Sequence, residues 1–125
     1  MTEQDVFIVF AKVLINAIPD GCSYKYCTLQ LERLPNYSSV WAKITDYDAN
    51  IQVLDIETDL YDIIQDLYTI TQTQPPIHKD WNKAVFTLYP DGKADMEYIW
   101  DAEWQAKIDR YNAEAEAEKQ KNRGK

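Results

Sequence analysis

Apolar residues in this chain recur first at helical spacing, then at every second position, then at helical spacing, at every second position again, and at helical spacing to finish. Because the two periods are 3.6 and 2, each segment can bury its apolar side in only one regular conformation. Val6, Phe7, Phe10, Val13, Leu14 and Ala17 predict a helix over residues 3–18, with Thr2 as a cap, Glu3 and Asp5 in an acidic first turn, and Pro19-Asp20-Gly21 as the stop. Ile8, Val9 and Ile15 fall off the main stripe. Burial on two sides is the expected reading of that surplus, and coverage by a second copy of the protein is the other.

Alternation begins at Tyr24 and runs to Leu31, with Cys27, Leu29 and Leu31 opposed to Tyr26, Thr28 and Gln30. After Pro35-Asn36, Val40, Ala42 and Ile44 alternate with Trp41, Lys43 and Thr45; Asp48-Ala49-Asn50 then turns the chain into a short strand from Ile51 to Leu54. A second helix is expected from about Ile56 to Thr73, capped by Asp55 or Thr58, with Leu60, Ile63, Ile64 and Leu67 as its stripe and Gln74-Pro75-Pro76 as its end. Trp81 to Tyr89 and Ala94 to Trp100 flank Pro90-Asp91-Gly92-Lys93, a hairpin turn in which glycine supplies positive φ. The last helix starts near Ala102 and aligns Trp104, Ile108 and Tyr111. The order is α-β-β-β-α-β-β-α, an α+β fold with a mainly antiparallel sheet. At 125 residues this is one domain, residues 1–113, followed by a charged helix end or frayed tail over 114–125.

Thirteen basic against 21 acidic residues leave a formal net charge of -8, which excludes nonspecific nucleic-acid binding as the default function. No apolar run approaches the roughly 20 residues of a membrane span, and the first residues lack a secretory pattern, so a cytoplasmic protein without membrane contact is expected. Cys22 and Cys27 are read as reduced thiols, and His78, the only histidine, sits in a loop where it forms no zinc motif with them.

The acids are not evenly spread. Between Lys43 and Lys79 there is no lysine or arginine, while Asp46, Asp48, Asp55, Glu57, Asp59, Asp62 and Asp66 supply seven negative charges. On the expected second helix, Asp55, Asp59, Asp62 and Asp66 are spaced four, three and four residues apart and form one solvent-side stripe. A second basic-free stretch, between Lys93 and Lys107, puts Asp95 and Glu97 on one strand face, opposite Met96, Tyr98 and Trp100, with Asp101 and Glu103 at the following junction. One wet sheet face accounts for any single acid in this set. Two clusters beside tyrosines and tryptophans suit a basic protein partner.

Paired carboxylates also serve acid-base catalysis and divalent metals. The chain has no calcium loop, phosphate loop, nucleophile elbow or zincin helix, so no enzyme, cofactor or metal is expected. The hairpin carries a more specific pattern: Asp80-Trp81-Asn82, the strand through Phe86 and Leu88, Gly92-Lys93, and Met96-Glu97-Tyr98-Ile99-Trp100-Asp101. Over roughly Trp81 to Trp104 this resembles the YezG-like immunity protein family, whose members place a tryptophan, a strand, a Gly-Lys turn and an aromatic-x-aromatic-acid strand before a terminal helix. Ala94 stands where the family commonly has an aromatic residue, and Trp100 where tyrosine is frequent, so the resemblance leaves the toxin type open.

That resemblance implies a small antitoxin that protects a bacterium from its own or a sibling's secreted polymorphic toxin, often a nuclease. It supplies no catalytic residues. The expected mode is stoichiometric binding, in which Asp55, Asp59, Asp62 and Asp66, or else Asp95, Glu97, Asp101 and Glu103, meet lysines and arginines of the toxin. An acidic adaptor or chaperone-like module is the alternative, and self-association stays open.

Overall fold

Thr2 accepts a hydrogen bond from the Asp5 amide and Asp5 returns one from the Thr2 amide, a reciprocal cap that starts α1, Glu3–Ala17, where the sequence places it. In the computed structural model, which describes residues 1–123, α1 is followed by β1 (Tyr26–Leu34), β2 (Tyr37–Thr45) and β3 (Ile51–Leu54). The chain continues through α2 (Tyr61–Gln72), β4 (Lys83–Leu88), β5 (Ala94–Ile99) and α3 (Ala102–Arg123). The fold is α+β, in the order read from the sequence. All five strands join one antiparallel sheet in the order β3-β2-β1-β4-β5.

Register follows from the alternation. Leu29 lies opposite Ala42 on one side and Phe86 on the other, and Phe86 opposite Met96, so one row of apolar side chains crosses four strands on the inner face. α1 and α2 pack on that face, contributing Val6, Phe10 and Leu14, and Ile64 and Leu67. Phe7 and Phe10 each put their rings 5.7 Å from Phe86. Burying these side chains stabilises the fold by roughly 1.5–3 kcal/mol apiece.

Three features depart from the sequence expectations. Ile8 and Ile15 are 46% and 57% exposed, so α1 is not buried on two sides. β1 begins at Tyr26, leaving Tyr24 outside it, and extends beyond Leu31 to Leu34. The second helix starts at Tyr61 instead of Ile56. Asp59 Oδ1 accepts from the Tyr61 amide at 3.0 Å, an Asx-type bond that closes a turn in place of a helical residue. Leu60, buried, is the N-cap, so neither Asp55 nor Thr58 caps the helix.

α3 is helical throughout its range, and residues 109–121 are all exposed. Of its expected apolar face, Trp104 and Ile108 are half-buried and Tyr111 is exposed. The charged run beyond residue 113 is helical as far as Arg123 and exposed as far as Lys121; residues 124–125 of the expected tail lie outside the described residues. No helix among the described residues is long and apolar enough to cross a membrane.

Candidate interaction surface

Since both packed helices lie on one side of the sheet, the outward residues of every strand form an open second face. Val53, Lys43, Thr28, Thr87 and Asp95 make one cross-strand row on it, and Trp41, Gln30, Val85 and Glu97 the next. None of these nine residues is buried. Asp95 and Glu97 stand exposed at the β5 border, as the alternation predicts, with Met96 and Tyr98 turned into the core. Trp100 lies past the end of β5 and is exposed.

The two acidic sets occupy different layers. Asp62 and Asp66 are exposed on α2, which covers the inner face, whereas Asp95 and Glu97 lie on the outer face. Asp55 and Asp59 are exposed too, but in the segment between β3 and α2, so the expected four-acid helical stripe is reduced to the pair at 62 and 66.

Asp101 and Glu103 differ in role. Asp101 accepts from Lys83 Nζ at 2.9 Å and from the Trp104 amide at 3.0 Å, while its own backbone exchanges hydrogen bonds with the Asn82 side chain. The Lys83 ammonium, followed by the Trp104 amide, holds its carboxyl below the usual range. Asp101 is thus a structural anchor that starts α3. Lys83 also approaches Glu32, at 3.7 Å, and its Nζ lies 5.1 Å from the Trp104 ring. Glu103 is exposed in the first turn of α3.

By contrast, none of the seven carboxylates from Asp46 to Asp66 forms an ion pair among the described residues. Asp46 is occupied by its own turn: its carboxylate accepts from the Asp48 and Asn50 backbone amides, both at 2.9 Å, and from Asn50 Nδ2 at 3.2 Å, and it is held low chiefly by the Asn50 backbone amide. Asp55 and Glu57 border a shallow recess with Val13, Asn16 and Ala17 of α1, whose last turn contains no basic residue. The carbonyl end of a helix is the negative end of its dipole, so α1 deepens the negative potential there.

Sequence reasoning missed a polar-aromatic cluster on the opposite border of the helical layer. Glu3 Oε2 accepts from Tyr98 Oη at 2.6 Å and meets His78 Nε2 at 2.8 Å. Burial, then the bond to Glu3, pushes the Tyr98 phenol far up, so Tyr98 is the donor. The Trp81 indole is fully buried, donates to Thr71 Oγ1 at 2.9 Å, and packs 5.5 Å from Tyr68 and 5.2 Å from Tyr98. Arg33, 8% exposed, stacks 3.3 Å over the Tyr68 ring. The available signal was Arg33 itself, a charge at the fourth inward position after Cys27, Leu29 and Leu31. The cluster ties α1, α2 and the second hairpin together.

Cys22 and Cys27 are both free, and burial pushes the Cys27 thiol up to about 11. No three histidine, cysteine or acidic side chains converge on a metal-sized site among the described residues. No family model and no curated protein matches the sequence.

Proposed function

We propose that this chain is an immunity protein that neutralises a cognate secreted bacterial toxin, a basic nuclease, by binding it stoichiometrically through the acidic lobe of residues 46–66. The observation that carries this reading is the lobe's lack of internal compensation: seven carboxylates and no ion pair among the described residues. A nuclease concentrates positive charge where it holds phosphates. A folded anionic surface accelerates encounter with such a cleft, then excludes nucleic acid by occupying it. The hairpin's resemblance to YezG-like immunity proteins points the same way.

The Asp95 and Glu97 face is the less favoured surface, because Lys43 lies on it and Lys83 neutralises its neighbours Glu32 and Asp101. Co-expression with any nuclease domain encoded beside this gene tests the reading. Wild-type protein restores growth and suppresses nuclease activity at equimolar ratio. Asp62→Lys combined with Asp66→Lys slows association at low salt, while Asp95→Lys combined with Glu97→Lys has the smaller effect. If neither pair alters association, the acids of α2 and β5 lie outside the interface, and if charge reversal at Asp55, Glu57 and Asp59 also leaves it unchanged, electrostatic occlusion is wrong; if the wild-type chain gives no protection, the immunity reading is wrong.

A further inference from the structure

The two edges of the sheet are protected unequally. β5 displays Asp95 and Glu97 on its outward side, and charges of this kind discourage strand addition. β3 displays Ile51, Gln52 and Val53, all exposed, with no charge and no proline along the strand. Ile51 and Val53 are 65% and 67% exposed. The only strand paired with β3 is β2, and no other backbone or side-chain hydrogen bond reaches Ile51–Leu54 among the described residues. A row of peptide groups beside two bare β-branched side chains is a template for another strand.

The surroundings of this edge select what can pair with it. Asp46 and Asp48 precede β3, Asp55, Glu57 and Asp59 follow it, and Lys43, opposite Val53 on β2, is the one cation paired across from the strand, against these five acids at its two ends. A second copy is disfavoured by the same charges. A twofold pairing of two copies brings the acids that flank one β3, Asp46, Asp48, Asp55, Glu57 and Asp59, towards the same set on the other, so like charges crowd the seam. An extended segment with lysine or arginine at both ends reverses every one of those contacts. Apolar residues two apart in its middle would cover Ile51 and Val53 on the outward face.

We propose that β3 accepts a sixth strand, an extended basic segment of a partner protein whose apolar centre pairs with Ile51–Leu54 and whose flanking cations meet the acids on either side. The proposal deepens the reading of the chain as a binder of a basic toxin and rests on it. The probe is a synthetic peptide with a Val-Thr-Val centre between lysine pairs, compared with its glutamate-flanked counterpart, and the readout is amide hydrogen exchange in the full chain. The lysine peptide slows exchange of the β3 amides that are free in the protein alone by about tenfold. The glutamate peptide does not, and Val53→Lys, a change at an exposed position, abolishes the protection while leaving the thermal midpoint in place. Ile51→Lys repeats the test should Val53→Lys lower the midpoint.

Equal protection by both peptides, protection confined to β5, or none would overturn the proposal. So would a sedimenting dimer that Val53→Lys dissolves, since β3 would then be occupied by a second copy. The toxin assay separates the two levels. Wild-type protection that Val53→Lys leaves intact removes the sixth strand and keeps immunity, whereas peptide capture by a chain that protects against no toxin removes immunity and keeps the edge site.

Discussion

Arg33 shows what a single residue does to a core otherwise built from alternation. Its inward position on β1 puts a guanidinium beneath α2, where Nη1 donates to Gln65 Oε1 at 3.2 Å and Nε finds no partner. Burial lowers its pKa from the ordinary arginine value. No carboxylate pairs with it within ion-pair distance, so stacking on Tyr68 and the bond to Gln65 are its compensation. Gln65 in turn donates to the Leu34 carbonyl at 2.8 Å and holds α2 over the β1–β2 turn. Replacing a buried charge that lacks an ionic partner by an apolar side chain of similar length is often neutral or stabilising, whereas truncating it leaves a void. Arg33→Met is therefore expected within about 1 kcal/mol of wild type and Arg33→Ala about 2–3 kcal/mol less stable, by urea denaturation. An Arg33→Met loss as large as that of Arg33→Ala would show that the guanidinium itself holds the layer together.

Among elements, legibility tracked how far each depends on local pattern. β4 and β5 lie within the predicted runs because inward Ala84, Phe86 and Leu88 alternate cleanly and Gly92, at φ 89°, makes the turn. The start of α2 was misread because Asp55 and Thr58, good cap residues ahead of the Leu60, Ile63, Ile64 and Leu67 stripe, cap nothing. The Asp59 turn decides against helix there, and periodicity does not register such a competitor. The Trp81 cluster was legible at most through the inward charge of Arg33, for another reason: Glu3, Arg33, Thr71, His78 and Tyr98 come from distant segments and meet only after the sheet forms. The start of α3 makes a measurable case. With its carboxyl pKa lowered by Lys83 and the Trp104 amide, Asp101 contributes stability present above its unfolded value, near 3.8, and lost as pH falls through the lower folded value. Asn at 101 can still cap the helix but cannot pair as an anion with Lys83. Asp101→Asn should therefore melt below wild type at neutral pH, with the gap closing below about pH 4. A gap independent of pH would mean that capping, not the Lys83 pair, is what Asp101 provides.

At the scale of the whole molecule the charge distribution sets stability against capture. Asp62 and Asp66 stand one helical turn apart on α2 with no cation to offset them, and like charges at that spacing destabilise a helix by about 0.2–0.5 kcal/mol. Asp66→Lys removes this repulsion and adds an attractive pair in the favourable order, acid before base. The gain in the free protein should be about 0.5 kcal/mol, raising the melting temperature by about 2 °C at low salt and by less at high salt. Net charge becomes two units less negative than -8, which also relaxes the self-repulsion of the lobe. If the lobe exists to meet a basic partner, the same substitution must slow association with the toxin and flatten its salt dependence. A variant that is more stable alone and poorer at capture would show that the repulsion is retained for binding. Should Asp66→Lys stabilise the chain and leave association and its salt dependence unchanged, the acids of α2 lie outside the interface, and the charge there is solvation alone.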